Sequence, residues 1–376
     1  TTTERMHETI ARPPLPISAK SLIPAGVPTR RAHGLIATGV YKIIRGVNAG
    51  LREGADRSFA LLPQTLGSSD TPEAETRVVA ALNGVLGDHL EATGNPLATR
   101  MSLRTPELAL DLDPAALSRQ LPEAGPHLVV MVHGLSLSEL SWRRDGKPGI
   151  GDELESQPGH TPLYLRYNTG RHSSTNGQEF AHLLQRLYDA WPVPVESVSL
   201  IGHSMGGLVI RSACWYARST GASWLQQLQR IVCLGTPHHG SPLEKAGHAF
   251  ETAMQKIPYM KPMLFGKLRS AGIKDLRHGA LTDEDWEGRD PDTSPPEPHQ
   301  VVPLLPRVDY YFAAASLGRH DDDPLGHLLG DLRVRPESAI GIHRDELRRL
   351  RIKPENCRIF HEKNHFDLLN DSLVQK

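Results

Sequence analysis

Residues 202–207 read Gly202-His203-Ser204-Met205-Gly206-Gly207, directly after the apolar run Val198-Ser199-Leu200-Ile201. A helix-forming stretch, Leu208 to Ala217, follows. A strand that turns into a helix within so few residues leaves no space for bulky side chains beside the corner. The glycines at 202 and 206 meet that demand. The corner residue, Ser204, is then held on a sharp turn with its hydroxyl exposed and the first N–H groups of the next helix beside it. The bare Gly-x-Ser-x-Gly pattern recurs by chance in glycine-rich loops, so its information lies in the flanks, and here both flanks are present.

The rest of the chain alternates short apolar runs with helical patterns from about Thr99 onward. Met101–Leu103 and Leu108–Leu112 read as two early strands, and Leu128–Val132 as a fully apolar one that ends in His133-Gly134-Leu135. Leu163–Tyr167, Val198–Ile201, Ile231–Leu234, Tyr311–Ala315 and Arg358–His361 are the later strands. Phe180–Trp191 is an amphipathic helix closed by Pro192. Strands that are apolar on both faces and alternate with helices predict a mostly parallel sheet covered by helices.

Two regions fall outside this alternation. Residues 1–98 form an N-terminal arm and helical extension: the first 30 residues are rich in Pro, Thr and Arg, and helical spacing of apolar residues marks Gly34–Leu51 and Thr71–Leu90. Both helical patterns are expected to pack on the main domain, residues 99–376. Inside that domain the alternation stops at about 241–302. The insertion carries Met254, Met260 and Met263, three of the chain's seven methionines, and then a Pro-rich stretch. Flexible thioether side chains suit an adaptable apolar surface. This segment is expected to be a helical lid-like insertion, with Met254 and Met260 as substrate contacts, although ordinary packing of an inserted helix would leave the same pattern.

Composition narrows the function classes. A net charge of −1 gives no basic surface for nucleic acid. No apolar run approaches the ~18 residues of a membrane-spanning helix. The three cysteines, Cys214, Cys233 and Cys357, lack metal-ligand spacing. Cys214 and Cys233 sit in apolar stretches as core filler, which favours a reducing, cytoplasmic setting, with a removed export signal as the alternative. Nothing in the sequence bears on oligomeric state.

A serine hydroxyl at neutral pH needs a base, an acid to orient that base, and N–H donors for the developing oxyanion. The base is expected on the loop after the last strand, which returns over the carboxyl edge of the sheet. His365 is placed there, with His361 at the strand end as its rival. The acid is expected after Tyr311–Ala315. Asp331, in Gly330-Asp331-Leu332, is preferred to the run Asp321-Asp322-Asp323, whose adjacent charges suit a solvated loop or a hard-cation site. The oxyanion donors are the N–H after the nucleophile, Met205, and one on the loop after Leu128–Val132, Leu135. Gly134 lets that loop approach the substrate closely, and His133 reads as a structural brace. Trp142 and Tyr167 are assigned to the substrate pocket, and Asn168-Thr169-Gly170 to a turn.

The elbow at Gly202–Gly207, together with Val132-His133-Gly134, resembles the α/β-hydrolases. The stretch Gly235-Thr236-Pro237-His238-His239-Gly240-Ser241 is similar to a segment of the lipase-like members, including bacterial lipases and the GPI inositol-deacylase-like group. The resemblance covers about Gly125 to Leu369. Many such proteins carry the acid in Gly-Asp-Gly-x-Val-Pro; this chain has Gly330-Asp331-Leu332-Arg333-Val334-Arg335, without the second glycine and the proline. The resemblance implies an α/β-hydrolase fold and an esterase or lipase that acts on a small-molecule or lipid ester through Ser204, His365 and Asp331. It implies no metal and no organic cofactor, and it makes His238 and His239 structural. Acyl transfer and amide hydrolysis use the same triad, and a non-catalytic binding protein on this fold is the reading from another class.

Overall fold

A computed structural model describes residues 72–143, 148–241, 270–289, 300–320 and 334–375. Its centre is a seven-stranded sheet in the order β1-β3-β2-β4-β5-β6-β7. The strands are β1 (Ser102–Arg104), β2 (His127–Val132), β3 (His160–Arg166), β4 (Ser197–His203), β5 (Leu228–Leu234), β6 (Asp309–Ser316) and β7 (Cys357–His361). Only β1 runs antiparallel; every other pair is parallel, with Met131 beside both Tyr164 and Ile201. The carboxyl ends of β2 to β7 therefore lie along one edge, where an open parallel sheet presents its loops to a ligand.

The alternation of side chains along β2 accounts for both layers. Leu128, Val130 and Val132 face one core, and Val129 and Met131 face the other. The first core is closed by helices α1 (Pro72–Ala92), α4 (Ser173–Ala190), α5 (Met205–Thr220) and α6 (Ala271–His278). Between α1 and α4 lie α2 (Pro114–Gln120), capped by the Asp113 side chain, and the short α3 (Ile150–Glu155). The second core holds Trp142, Tyr164, Ile201, Leu234 and Leu368, with Ile150 and Leu154 of α3 packed on it. Cys214 and Cys233 are buried in the first core, and burial pushes both thiols up to about 12.

Two expectations shift. Leu108–Leu112 is not a strand. It makes one bridge, Ala109 to Arg104, and the Leu110 N–H donates to the Leu103 carbonyl. The spacing of Leu108, Leu110 and Leu112 imitates a half-buried strand, yet Leu108 is exposed and the segment instead leads into the Asp113 cap. Helix α4 begins at Ser173, well before Phe180, because the carboxylate of Asp275 accepts the Ser173 N–H at 2.6 Å. That cap comes from α6, about a hundred residues away. Helix α1 lies where its pattern leads one to expect. Val78, Leu82, Val85, Leu86 and Leu90 belong to the first core, so this helix packs on the main domain. The helical pattern at Gly34–Leu51 lies outside the described residues.

A parallel sheet with helices on both faces, one antiparallel edge strand, and a Gly-x-Ser-x-Gly turn between β4 and α5 is the α/β-hydrolase fold. No helix among the described residues is long and apolar enough to cross a membrane.

Candidate active site

Ser204 sits between the last residue of β4 and the first of α5 at φ 55°, ψ −122°. For a residue with a Cβ, that conformation costs about 1–3 kcal/mol and persists only where its surroundings enforce it. They do so here: the Ser204 N–H donates to the Leu234 carbonyl of β5 at 2.8 Å, and its carbonyl accepts from the Gly207 N–H at 3.1 Å. A Cβ added to Gly206 would lie 2.1 Å from the Val132 carbonyl oxygen, so the first turn of α5 is pressed against the end of β2. Ser136 and Glu362 also have positive φ, and both lie on loops beside the elbow.

The loop after β2 runs directly past the serine. A Cβ on Gly134 would fall 2.9 Å from Ser204 Cβ. The loop is pinned on either side of Leu135. The Ser136 N–H donates to Thr169 Oγ1 at 3.1 Å, and the Leu137 N–H to the Gly134 carbonyl at 3.2 Å. His133 is fully buried, and burial pushes its imidazole down to about 4. The ring is therefore neutral at pH 7; its Nδ1–H donates to the Gly134 carbonyl at 3.0 Å and its face stacks on Tyr167. The Tyr167 hydroxyl donates to the His133 carbonyl at 2.8 Å. His133 and Tyr167 are thus a brace beneath the loop; Tyr167 is buried, and it lines a cavity of about 330 Å³ with Leu137, Ser138 and Arg166.

His365 reaches the same corner from the loop after β7. A Cβ on Gly235, the residue after Leu234, would sit 2.9 Å from His365 Cε1 and 3.0 Å from Nδ1. The His365 ring lies 4.7 Å from that of His203, the neighbour of Ser204. The loop is shaped by a reciprocal cap: Asp367 Oδ2 accepts the Asn364 N–H at 2.7 Å, and Asn364 Oδ1 accepts the Phe366 N–H at 2.9 Å. The structure therefore brings Ser204, Gly134-Leu135, Met205 and His365 together. His361 remains the last residue of β7, paired in register with Ser316.

Other expected site residues fare differently. Asp331, Asp321–Asp323, Met254 and Met260 lie outside the described residues. Trp142 is fully buried in the second core, packed with Met131, Tyr164 and Ile201, and shows no surface to a substrate. Its short 3₁₀ turn carries it under the sheet, a direction that the position of the residue in the sequence does not give. His238 and His239 brace loops: the His239 N–H donates to Ser338 Oγ and its Nε2 bonds the Gly341 carbonyl. No metal-ligating cluster occurs among the described residues.

Sequence reasoning missed two contributors to the site. Helix α1 lies against the oxyanion-side loop, where a Cβ on Gly84 would meet Ser136 Oγ at 1.9 Å. The start of α6 covers the elbow from the other side: a Cβ on Gly272 would be 3.0 Å from Met205 Cε, and Ser270 Oγ donates to the Gly84 carbonyl at 2.7 Å. The small residues at 84 and 272 were the available signal, but without a partner surface a glycine in a helix reads only as a weak spot.

Residues 175–289, less than half of the chain, match the model of the PGAP1-like alpha/beta domain family. No curated protein matches the chain. Among solved structures, the mature form of a Bacillus licheniformis lipase is 18% identical, with 73% of this chain and 94% of that one covered at a TM-score of 0.44. A Pyrobaculum calidifontis esterase is 15% identical, with 82% and 91% covered at 0.39. A Pyrococcus furiosus esterase is 14% identical, with 65% and 76% covered at 0.35. The fold assignment rests on the sheet topology and the elbow, not on these scores.

Proposed function

We propose that the chain is a serine carboxylic-ester hydrolase, an esterase or lipase that works through an acyl-enzyme. The observation that carries the reading is Ser204 at φ 55° on the β4–α5 corner, with His365 packed against the same corner at Gly235. Ser204 Oγ attacks the ester carbonyl and passes its proton to His365. The N–H groups of Leu135 and Met205 hold the oxyanion, each worth on the order of 10²–10³ in rate. His365 then protonates the leaving alcohol, and water attacks the acyl-enzyme by the reverse arrangement. Asp331 is the proposed orienting acid, because it follows β6 in the chain order Ser–acid–His; the run Asp321–Asp323 is the alternative. The substrate is a small-molecule or lipid ester.

The test is hydrolysis of p-nitrophenyl acyl esters from acetyl to palmitoyl, together with fluorophosphonate labelling. The wild type is expected to label at Ser204 and to turn over at least one ester. Ser204→Ala is expected to lose labelling and nearly all turnover. Full activity in Ser204→Ala, or no labelling in the wild type, overturns the reading, and the latter result would favour a binding protein on this fold.

A further inference from the structure

A cavity of about 420 Å³ lies apart from the elbow, and none of Ser204, Leu135, Met205 and His365 lines it. Its volume falls in the range of small-molecule sites, roughly 300–1,000 Å³. The floor is Arg211 of α5 and His238, and the wall includes Arg348, Arg349 and Arg351. The one carboxylate on the lining is Glu346, and it pairs with Arg349 at 2.9 Å.

Arg211 is the unusual group. Its side chain is almost wholly buried, and its bonds go to neutral groups: the Val302 carbonyl at 2.8 Å and His238 Nδ1 at 3.4 Å. No ion pair to Arg211 is present among the described residues, and its Nε–H has no acceptor; the buried Asp285 carboxylate acts on it only at longer range, its oxygens accepting the Leu281, Thr282 and Gln300 N–H groups. A buried guanidinium normally has a carboxylate partner, because a desolvated cation without a counter-charge is costly. Since Arg211 only donates, His238 Nδ1 must accept, and that leaves the imidazole proton on Nε2. That atom too is buried without an acceptor. The floor therefore holds a full positive charge, and behind it are two unspent donors that are themselves closed off from solvent. The carboxyl end of α6, at His278 and Gly279, brings about half a negative charge to the lining, which the arginines outweigh.

We propose that this cavity is a second ligand site, separate from the Ser204 centre, for a small organic anion that carries a carboxylate or phosphate group. The anion supplies Arg211 with a direct ion-pair partner, which the more distant Asp285 does not, and Arg349 and Arg351 draw it in from the surface. A metal is the poorer occupant, since the histidines on the lining stand beside four arginines and form no metal-ligating cluster among the described residues.

The experiment is titration of the full chain with inorganic phosphate, methyl phosphate and acetate at fixed ionic strength set by chloride, read by calorimetry and by the Nε–H resonance of Arg211. The expected result is saturable binding of at least one oxyanion, a saturable shift of that resonance, and the same affinity in Ser204→Ala. The relative affinities of the phosphates and acetate assign the preferred group. The double substitution Arg349→Gln with Arg351→Gln is expected to weaken binding by about tenfold or more, the loss typical of a charge-assisted contact. Arg211→Lys is expected to abolish the saturable phase. If Arg211→Lys does not fold, the surface double variant and the Arg211 resonance decide. Linear, non-saturating responses to all three anions overturn the proposal, as does binding that both variants leave intact. Because every readout is binding rather than turnover, failure here leaves the ester-hydrolase reading untouched.

Discussion

The imidazole of His203 donates through Nε2 to the backbone carbonyl of His365 at 3.1 Å. The residue immediately before the nucleophile thus holds the loop that carries the proposed base. His203 is fully buried, and its ring also packs against that of His365. In the Gly-x-Ser-x-Gly pattern this position accepts many residues, so here its identity matters through the loop it tethers. Replacement by Phe keeps an aromatic ring and removes the donor. His203→Phe is expected to lower kcat by about tenfold to a hundredfold, the scale of a displacement near 1 Å at a catalytic group, with KM little changed. Steady-state kinetics on the best p-nitrophenyl ester, with the rate of fluorophosphonate labelling, checks this. An unchanged labelling rate would show that the tether does not position His365.

Helix α1 ties the N-terminal part of the described chain to the same chemistry. Gly84 leaves no space for a methyl group against Ser136 Oγ, and Ser136 follows Leu135 on the loop that offers the proposed oxyanion donor. Gly→Ala inside a helix ordinarily stabilises by about 1 kcal/mol. At position 84 it is expected instead to cost about 1–3 kcal/mol by overpacking and to reduce kcat by moving the loop. Ser136→Gly removes the opposing hydroxyl and is expected to restore part of the loss in the double variant. Urea midpoints and kcat for the four-member cycle measure the coupling. Additive effects would show that α1 and the loop do not act on each other.

The chain shows its sheet and its elbow plainly because both depend on local pattern. Strands β2 and β4, and the carboxyl-terminal halves of β5 and β6, are short, mostly apolar runs whose burial on two faces leaves little polar alternation. The Ser204 corner is set by glycines that only such a turn requires. The unreadable parts depend on long-range partners. The start of α4 is fixed by Asp275 from α6, and the side of the sheet that Trp142 covers is fixed by a 3₁₀ turn. The place of α1 is fixed by what its glycines touch. Periodicity identifies a helix and its apolar stripe, but it does not say which loop that stripe closes over. The unspent donors at Arg211 and His238 likewise become visible only when their partners can be counted in space.

The neutral brace at His133 predicts a pH dependence of stability. In the unfolded chain its imidazole titrates near 6.5; in the folded protein burial holds it at about 4. As pH falls below about 6.5 the unfolded state takes up a proton that the folded state refuses. This contribution to stability is therefore complete above about pH 6.5 and is lost on the way down to about pH 4. Between those limits the slope is about 1.4 kcal/mol per pH unit, for a total on the order of 3 kcal/mol. His238 and His239, also held low chiefly by burial, act in the same direction, so the His133 share is read by difference. His133→Gln is expected to be less stable at pH 7.5 but to flatten the slope by about one proton. Urea unfolding at half-unit steps from pH 7.5 to 4.5 checks this, and an unchanged slope would show that His133 is protonated in the folded state.

The identity of the orienting acid is open to the most direct test. β6 ends at Ser316, and both Asp331 and Asp321–Asp323 follow it in the chain. An acid that orients the histidine acts on its tautomer and on the imidazolium formed in the transition state, so its loss lowers kcat more than KM. Asp331→Asn is expected to reduce kcat by about 10⁴-fold, the scale seen when a triad carboxylate becomes an amide. The triple change of Asp321, Asp322 and Asp323 to Asn is expected to leave kcat within about threefold, the scatter of surface substitutions below about 0.5 kcal/mol. The two variants are compared on one ester across pH 6–9, with circular dichroism to confirm folding. The reverse ranking would move the acid to the Asp321–Asp323 run and leave Ser204 and His365 in their proposed roles.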